Sequence, residues 1–183
     1  MSTHFNEIFS DDIISIKLFK PSIFRLFGGK LRKLGLRQKI RFYLNLIRGY
    51  RVYHLFKNNI EIGYCVITNG GSRRYPFADK NDIIVGPYFI DEKYRGKKLS
   101  IFLVKKCLID FEKNYIAAYD FIKKDNIISI KTTEASGFNY YSDAFYTKYL
   151  RVLKPMEDKS GTFLIYQYVS KNKNNNKKGK KNE

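Results

Sequence analysis

Residues 81–100, NDIIVGPYFIDEKYRGKKLS, constrain the fold more than any other stretch of the chain. Asp82–Ile90 is rich in β-branched and aromatic residues but is interrupted by Gly86-Pro87, which predicts a strand whose regular pairing breaks in the middle. A broken strand leaves backbone donors and acceptors exposed. After an acidic turn at Asp91–Lys93, Arg95-Gly96-Lys97-Lys98 leads into Leu99–Lys113, where Leu99, Phe102, Leu103, Cys107, Leu108 and Phe111 recur at helical spacing. Free N–H groups at a helix start, joined by Arg and Lys side chains, suit a phosphate or diphosphate. Charge at a helix terminus is the plainer account of the same residues.

A second stretch narrows the choice. Asn126-Ile-Ile-Ser129 through Gly137-Phe138 reads as a short helix that ends at a glycine and is followed by an aromatic. Together the two stretches resemble the GNAT acetyltransferase superfamily. Its acyl-coenzyme A loop reads Arg/Gln-X-X-Gly-X-Gly/Ala, and its later helix starts with Asn, carries a small residue three positions on and ends in Gly-Phe. Arg95, Asn126, Ser129, Gly137 and Phe138 fit, and Gly96 is a frequent choice at its position. Lys98 and Ser100 stand where the pattern has its two small residues. The resemblance implies an α/β (α+β) fold with a mostly antiparallel mixed sheet of about seven strands flanked by about four helices. It also implies acetyl-CoA as acyl donor and no metal.

The chain is 183 residues long, enough for one domain with a sizeable core. Residues 1–170 are expected to form it. Two cysteines, Cys65 and Cys107, have no metal-ligand spacing and point to a reduced, cytoplasmic compartment. No apolar run approaches the length needed to cross a bilayer, and the N-terminus lacks a signal-peptide layout. The net charge of +18 is unevenly spread: residues 17–51 contribute +11, residues 171–183 contribute +5, and +2 remains for everything else. The body is therefore close to neutral, which argues against nucleic acid as the main partner. The Lys/Asn-rich tail 171–183 has no apolar residue to bury and is expected to be disordered. The basic segment either covers the sheet or contacts an anionic membrane surface or phosphorylated acceptor.

In chain order, Ile13–Phe19 predicts a strand, Pro21 opens one or two helical turns stopped by Gly28-Gly29, and Lys30–Arg48 a longer helix. Tyr50–Phe56 and Ile60–Thr68 predict a hairpin turning at Lys57-Asn58-Asn59. Tyr115–Ile122 is a strand, Asp125 caps a helix from Asn126 to Ser136, and Tyr140–Ser142 forms a turn. Phe145–Leu153 and Thr162–Val169 are the last two strands.

The resemblance assigns roles residue by residue. The pantetheine arm would run along the main chain of Val85, Gly86, Pro87, Tyr88, Phe89 and Ile90. The diphosphate would sit against the amides of Gly96, Lys97, Lys98, Leu99 and Ser100, with charge from Arg95, Lys97 and Lys98. Asn126 and Ser129 would face the cofactor arm. Many members of the family carry an acidic Tyr where this chain has Thr133, so Tyr140 and Tyr141 are the nearest substitutes. Asp82 and Glu61 are candidate bases, while His54 matches in pKa but a lone strand histidine is more often packing. Arg73-Arg74 beside Tyr75 and Phe77 can clamp a phosphate and stack a sugar or base, or form an ordinary loop tip. The reading is an acetyl-CoA-dependent N-acetyltransferase of a small, phosphate-bearing amine such as an amino-sugar nucleotide or lipid-linked glycan, acting by direct attack, as monomer or homodimer. Acylation of a protein or peptide amine is the alternative within the enzyme class. A non-catalytic module on the same fold, binding RNA or an anionic membrane, is the alternative outside it.

Overall fold

A computed structural model describes residues 5–22, 49–111 and 115–170, together with 25, 28, 35, 36, 39, 40, 43 and 46. The strands are β1 (Phe5–Ser10), β2 (Ile14–Phe19), β3 (Tyr50–Lys57), β4 (Ile60–Asn69), β5 (Ile83–Ile90), β6 (Ala117–Lys123), β7 (Asn139–Tyr146), β8 (Leu153–Met156) and β9 (Phe163–Val169). Helix α1 spans Leu99–Phe111 and α2 spans Ile127–Ala135. Hydrogen-bonded neighbours run β1-β2-β3-β4-β5-β6-β9-β7-β8 in a mixed sheet. β5 and β6 are parallel, while β1–β2, β2–β3, β3–β4, β6–β9, β9–β7 and β7–β8 are antiparallel. Among the described residues no helix is long and apolar enough to cross a membrane.

Two compact units divide the chain, Met1–Thr68 with Val85–Cys107, and Asn69–Ile84 with Leu108–Glu183. In the first, β3 and β4 are buried on both faces, which is why they read as nearly continuous apolar runs rather than as alternating ones. Phe19, Tyr50, Val52, Tyr64 and Val66 form one core cluster, on which Phe5, Leu46 and Phe89 pack. The hairpin turn falls where expected: Asn58 and Asn59 both have positive φ, 48° and 61°, as a two-residue turn between twisted strands requires. Gly63 has a steric reason. A Cβ there would lie 2.5 Å from the Phe89 carbonyl oxygen, so only glycine lets β4 and β5 approach at this point.

In the second unit, Ala78, Ile84, Ala117, Tyr119, Ala144, Leu153 and Ile165 form the core, with Tyr75, Phe77, Phe121, Tyr146 and Phe163 packed against it. Asp82 anchors it. Its Oδ1 accepts from Ala117 N at 3.0 Å and its Oδ2 from Asp79 N at 2.9 Å, fixing the entry into β5 against the entry into β6.

Several expectations need correction. The sheet has nine strands rather than about seven. β1 was missed because FNEIFS is short and half polar; its pairing with β2 is set by an Asx turn in which Asp11 Oδ1 accepts from the amides of Ile13 and Ile14. Residues 140–142 lie inside β7, which begins directly after Phe138, and 147–152 form a turn into β8 where one continuous strand was expected. Aromatic side chains recur across both segments, so alternation alone placed the break wrongly. The N-cap of α2 is Asn126, whose Oδ1 accepts from Ser129 N at 3.2 Å, whereas Asp125 pairs with Lys123. Gly137 closes this helix at φ +99° as expected. Two α-helices are assigned full bounds among the described residues, against about four expected. Ser22 and Arg25 exchange both backbone hydrogen bonds rather than opening a helix, and Leu36, Lys39, Ile40, Tyr43 and Leu46 are helical. The remainder of the two N-terminal helix assignments, and the tail 171–183, lie outside the described residues.

Gly63→Ala is expected to destabilise the protein by about 1–3 kcal/mol, since the added methyl meets backbone rather than a yielding side chain. A urea midpoint shifted downwards at unchanged slope is the expected result.

Candidate active site

The β5–β6 ladder is short. Only Ile83 and Ile84 of β5 pair with β6, opposite Ala118 and Tyr119. The ladder to β6 stops at Ile84, ahead of Val85 and Gly86. Gly86, with φ +109°, sits just past the break. The main-chain groups of Val85, Gly86, Tyr88, Phe89 and Ile90 follow the end of this ladder, and the Ile90 carbonyl accepts from Arg95. Their side chains serve packing: Val85 and Ile90 are buried, and the Phe89 ring stacks on Tyr64 at 5.8 Å.

The strand then enters the basic loop. A 3₁₀ turn, Glu92–Tyr94, precedes Arg95, whose Nε donates to the Ile90 carbonyl at 3.0 Å while Nη1 pairs with Glu92 at 3.2 Å. Arg95 is thus tied to the end of β5 with its guanidinium half exposed. Gly96 has φ +79° and Lys98 φ +57°. A lysine in the left-handed region is strained by roughly 1 kcal/mol relative to glycine there. So Lys98 keeps the backbone turn that the resembled pattern assigns to glycine. The Lys98 carbonyl accepts from Phe102 N at 3.0 Å, which starts α1 and leaves the amides of its first turn, Leu99 and Ser100 included, without helical acceptors. Successive amides around left-handed residues make an anion-binding concavity. Lys97 and Lys98 are exposed beside it.

The candidate acid–base residues fall in different surroundings. Glu61 Oε1 lies 2.9 Å from His54 Nδ1 in the first unit. The carboxylate can only accept, so Nδ1 carries the proton. His54 is fully buried against the Phe5 ring, and its Nε2 has no hydrogen-bond partner among the described residues. Both Asp82 oxygens are taken by backbone amides, which gives that carboxylate a structural task. The Tyr141 ring is edge-on to Tyr119 at 5.6 Å. The Tyr140 hydroxyl donates to Asp143 Oδ1 at 3.0 Å, and Lys124 pairs with the other oxygen of Asp143. Desolvation and the Asp143 carboxylate raise the Tyr140 pKa. Burial would raise Asp143, but the Lys124 ammonium and the Tyr140 hydroxyl hold it below the ordinary carboxylate value.

Thr133 is not vacant space. Its hydroxyl donates to Asp120 Oδ2 at 2.6 Å, and both residues are buried. Asp120 went unnoticed in the sequence, although a carboxylate inside AAYDFIK is the kind of polar interruption that marks one. Of the acceptor candidates, Arg73 is exposed, while Arg74, Tyr75 and Phe77 are partly buried. Tyr75 packs on Phe77 and Phe121, and Phe77 on Tyr119.

This architecture is shared by solved acetyltransferases. The chain is similar to a GNAT family acetyltransferase from Elizabethkingia anophelis with acetyl-CoA bound, at 13% identity over 87% of this chain and 99% of that one, with a TM-score of 0.60. It is similar to RimL, the ribosomal L7/L12 alpha-N-protein acetyltransferase, in complex with coenzyme A, at 10% identity over 90% and 98%, TM-score 0.59. The microcin C7 self immunity acetyltransferase MccE, in complex with acetyl-CoA and AMP, matches at 11% identity over 87% and 93%, TM-score 0.55. No protein-family model matches the chain, and no curated protein sequence does. The fold is therefore that of the GNAT acetyltransferases, as the two motif stretches implied.

Asp120 makes the stability of this fold depend on pH. Burial pushes its carboxyl up from 3.8 to about 6, against the lowering effect of the Thr133 hydroxyl and the Phe121 amide. As pH rises through about 4 the unfolded chain releases this proton first, and the folded protein follows only near 6. The group therefore favours folding most at low pH, and roughly 3 kcal/mol of that is lost between about pH 4 and pH 6. Asp120→Asn retains an acceptor for Thr133 and cannot ionise. Its melting temperature relative to wild type is expected to rise across that window and to level off above it.

Proposed function

We propose that the chain transfers an acetyl group from acetyl-CoA to the amine of a small, phosphate-bearing acceptor. The observation that carries this is the end of the β5–β6 ladder after Ile84, with Gly86 at φ +109° just beyond it, a break at which Val85 and Gly86 can meet an extended, amide-containing ligand. The pantetheine arm of the donor has that chemistry. The loop from Arg95 to Ser100, with its two left-handed residues and exposed lysines, supports the diphosphate in the same ligand. Asn126 uses Oδ1 for its cap, which leaves its NH₂ for the donor arm, with Ser129 on the same helix turn. We also read residues 1–170 as a single acyltransferase domain, because β5 and α1 each run from one unit into the other.

Bound there, the donor supplies an activated acyl group. The amine attacks the thioester carbonyl directly, and its surplus proton needs an acceptor; Glu61, held by His54, is the base the reading favours over Asp82, whose oxygens are both occupied. The departing thiolate needs a proton. Tyr140 fits this role better than Tyr141, since its hydroxyl is oriented by Asp143 and its raised pKa keeps the proton in place until a basic thiolate forms.

The acceptor class rests on Arg73 and Arg74 beside Tyr75 and Phe77, and on a similar fold having been solved with AMP. A protein α-amine is the second reading, favoured by the likeness to RimL over nearly the whole length of both chains.

Titration of acetyl-CoA into the full-length protein is expected to show micromolar binding that Arg95→Ala/Lys97→Ala weakens at least about tenfold. No binding by the folded wild type would overturn the reading. A steady-state panel of amino-sugar phosphates, uncharged amines and peptide amines then separates the acceptors, and a wide margin for uncharged amines would reject the phosphate-bearing class.

A further inference from the structure

Two guanidinium groups lie within cation–π reach of the Tyr146 ring. Arg74 Cζ lies 5.3 Å from its ring centroid and Arg151 Cζ lies 5.4 Å from it. Phe121 and Phe163 meet the same ring edge-on, at 6.3 and 5.0 Å, so the ring is fixed from its sides. Arg74 also lies over Tyr75 at 5.6 Å, its Nη2 donates weakly to the Tyr146 hydroxyl at 3.5 Å, and its Nε is buried with no acceptor. Neither arginine is ion-paired with a carboxylate among the described residues. Two like charges drawn to one ring without an anion between them repel each other, and aromatic contact offsets that only in part.

The backbone holds this arrangement in place. The turn 147–152 is closed by Thr147 N donating to Val152 O at 2.9 Å and by Val152 N donating to Thr147 Oγ1 at 3.0 Å. Leu153 N donates to the Arg74 carbonyl at 2.9 Å, tying the Arg74 loop to β8. Arg151 sits at φ +48°, a conformation that costs an ordinary residue roughly 1 kcal/mol. Cation–π contact alone does not require a fork, since a lysine would serve it as well. Planar forks whose donors no carboxylate occupies are suited to phosphate oxygens.

We infer that Arg74, Arg151 and the Tyr146 hydroxyl form the subsite that takes the phosphate group of the acceptor, with Arg151 the residue that sets specificity for it. This rests on the proposal of a phosphate-bearing acceptor, and it adds two residues that sequence reasoning did not find. Arg151 was read as part of a strand, and Tyr146 was one aromatic among many.

Inorganic phosphate titrated calorimetrically into the full-length protein, without acetyl-CoA and in chloride buffer of physiological ionic strength, tests the subsite directly. Arg151→Ala is expected to weaken phosphate at least about tenfold, and Arg151→Lys by less, because charge remains while the fork is lost. Lys154→Ala, which removes an exposed charge nearby in sequence, is expected to change the affinity by less than about twofold. Arg151 is exposed on a turn, so its variants should melt with the wild type. Equal effects of Arg151→Ala and Lys154→Ala, or no phosphate binding by the wild type at millimolar concentration, overturn the subsite. In the transfer assay, Arg151→Ala should raise the KM for an amino-sugar phosphate and leave its unphosphorylated parent unaffected. Transfer that proceeds with no such difference overturns the subsite and leaves acetyl transfer standing, whereas phosphate binding lost on Arg151→Ala in a protein without transferase activity upholds the subsite and rejects the reaction.

Discussion

Everything proposed for the donor depends on where β5 is held and where it is released. Asp82 does the holding. A buried carboxylate with both oxygens on backbone amides is a strong clamp, because charge-assisted bonds of this kind outweigh neutral ones and breaking either would leave a buried acceptor unpaired. The Asn81 carbonyl adds a bond from Ile116 N at 2.8 Å beside it. Two residues later the parallel ladder ends. Parallel pairing is the weaker kind per residue, so a two-residue ladder would not persist by itself. The clamp is what allows so short a ladder to fix the start of β5 against the start of β6.

The second unit carries its polar groups in pairs that are satisfied inward. Thr133 bonds to Asp120, Tyr166 donates to Glu134 at 2.9 Å, and Gln167 donates to the Tyr119 hydroxyl at 2.7 Å. Each pair lets a polar side chain be buried, or partly buried, without an unmet donor. Arg74 Nε, like Ser142 Oγ, is buried without a hydrogen-bond partner among the described residues, and neither Arg74 nor Arg151 has a carboxylate beside it. The same unit leaves two guanidiniums near one ring with no carboxylate between them.

The central strand, the Asn-type hairpin turn, the helix beginning at Leu99 and the glycine that ends α2 were legible because each has a local chemical cause that survives in one dimension. A β-branched run, an Asn-Asn pair and a basic loop ahead of an apolar period all announce themselves. What escaped was set by partners distant in sequence. β1 is a strand because β2 is there to pair with it. The break between β7 and β8 is fixed by a turn closed through Thr147, in a stretch where aromatics alternate on both sides of it. The same holds for the site. Residues 85–100, proposed for the donor, form one contiguous text, whereas Arg151 meets Arg74 only through the ring of Tyr146, and no spacing in the sequence encodes that meeting.

The departures from the resembled pattern are also explained by local physics rather than by loss of the fold. Lys98 occupies a glycine position and still takes the left-handed conformation, so the loop keeps its shape at a cost of roughly 1 kcal/mol and gains a cation at its rim. Thr133 replaces an aromatic acid, and its hydroxyl turns inward to Asp120. A side chain that short, buried and donating at 2.6 Å to a buried carboxylate, is turned away from solvent. In the reaction proposed above the acid is instead Tyr140, half exposed where Thr133 is buried, its hydroxyl oriented by Asp143, which Lys124 fixes, and its pKa raised by its surroundings.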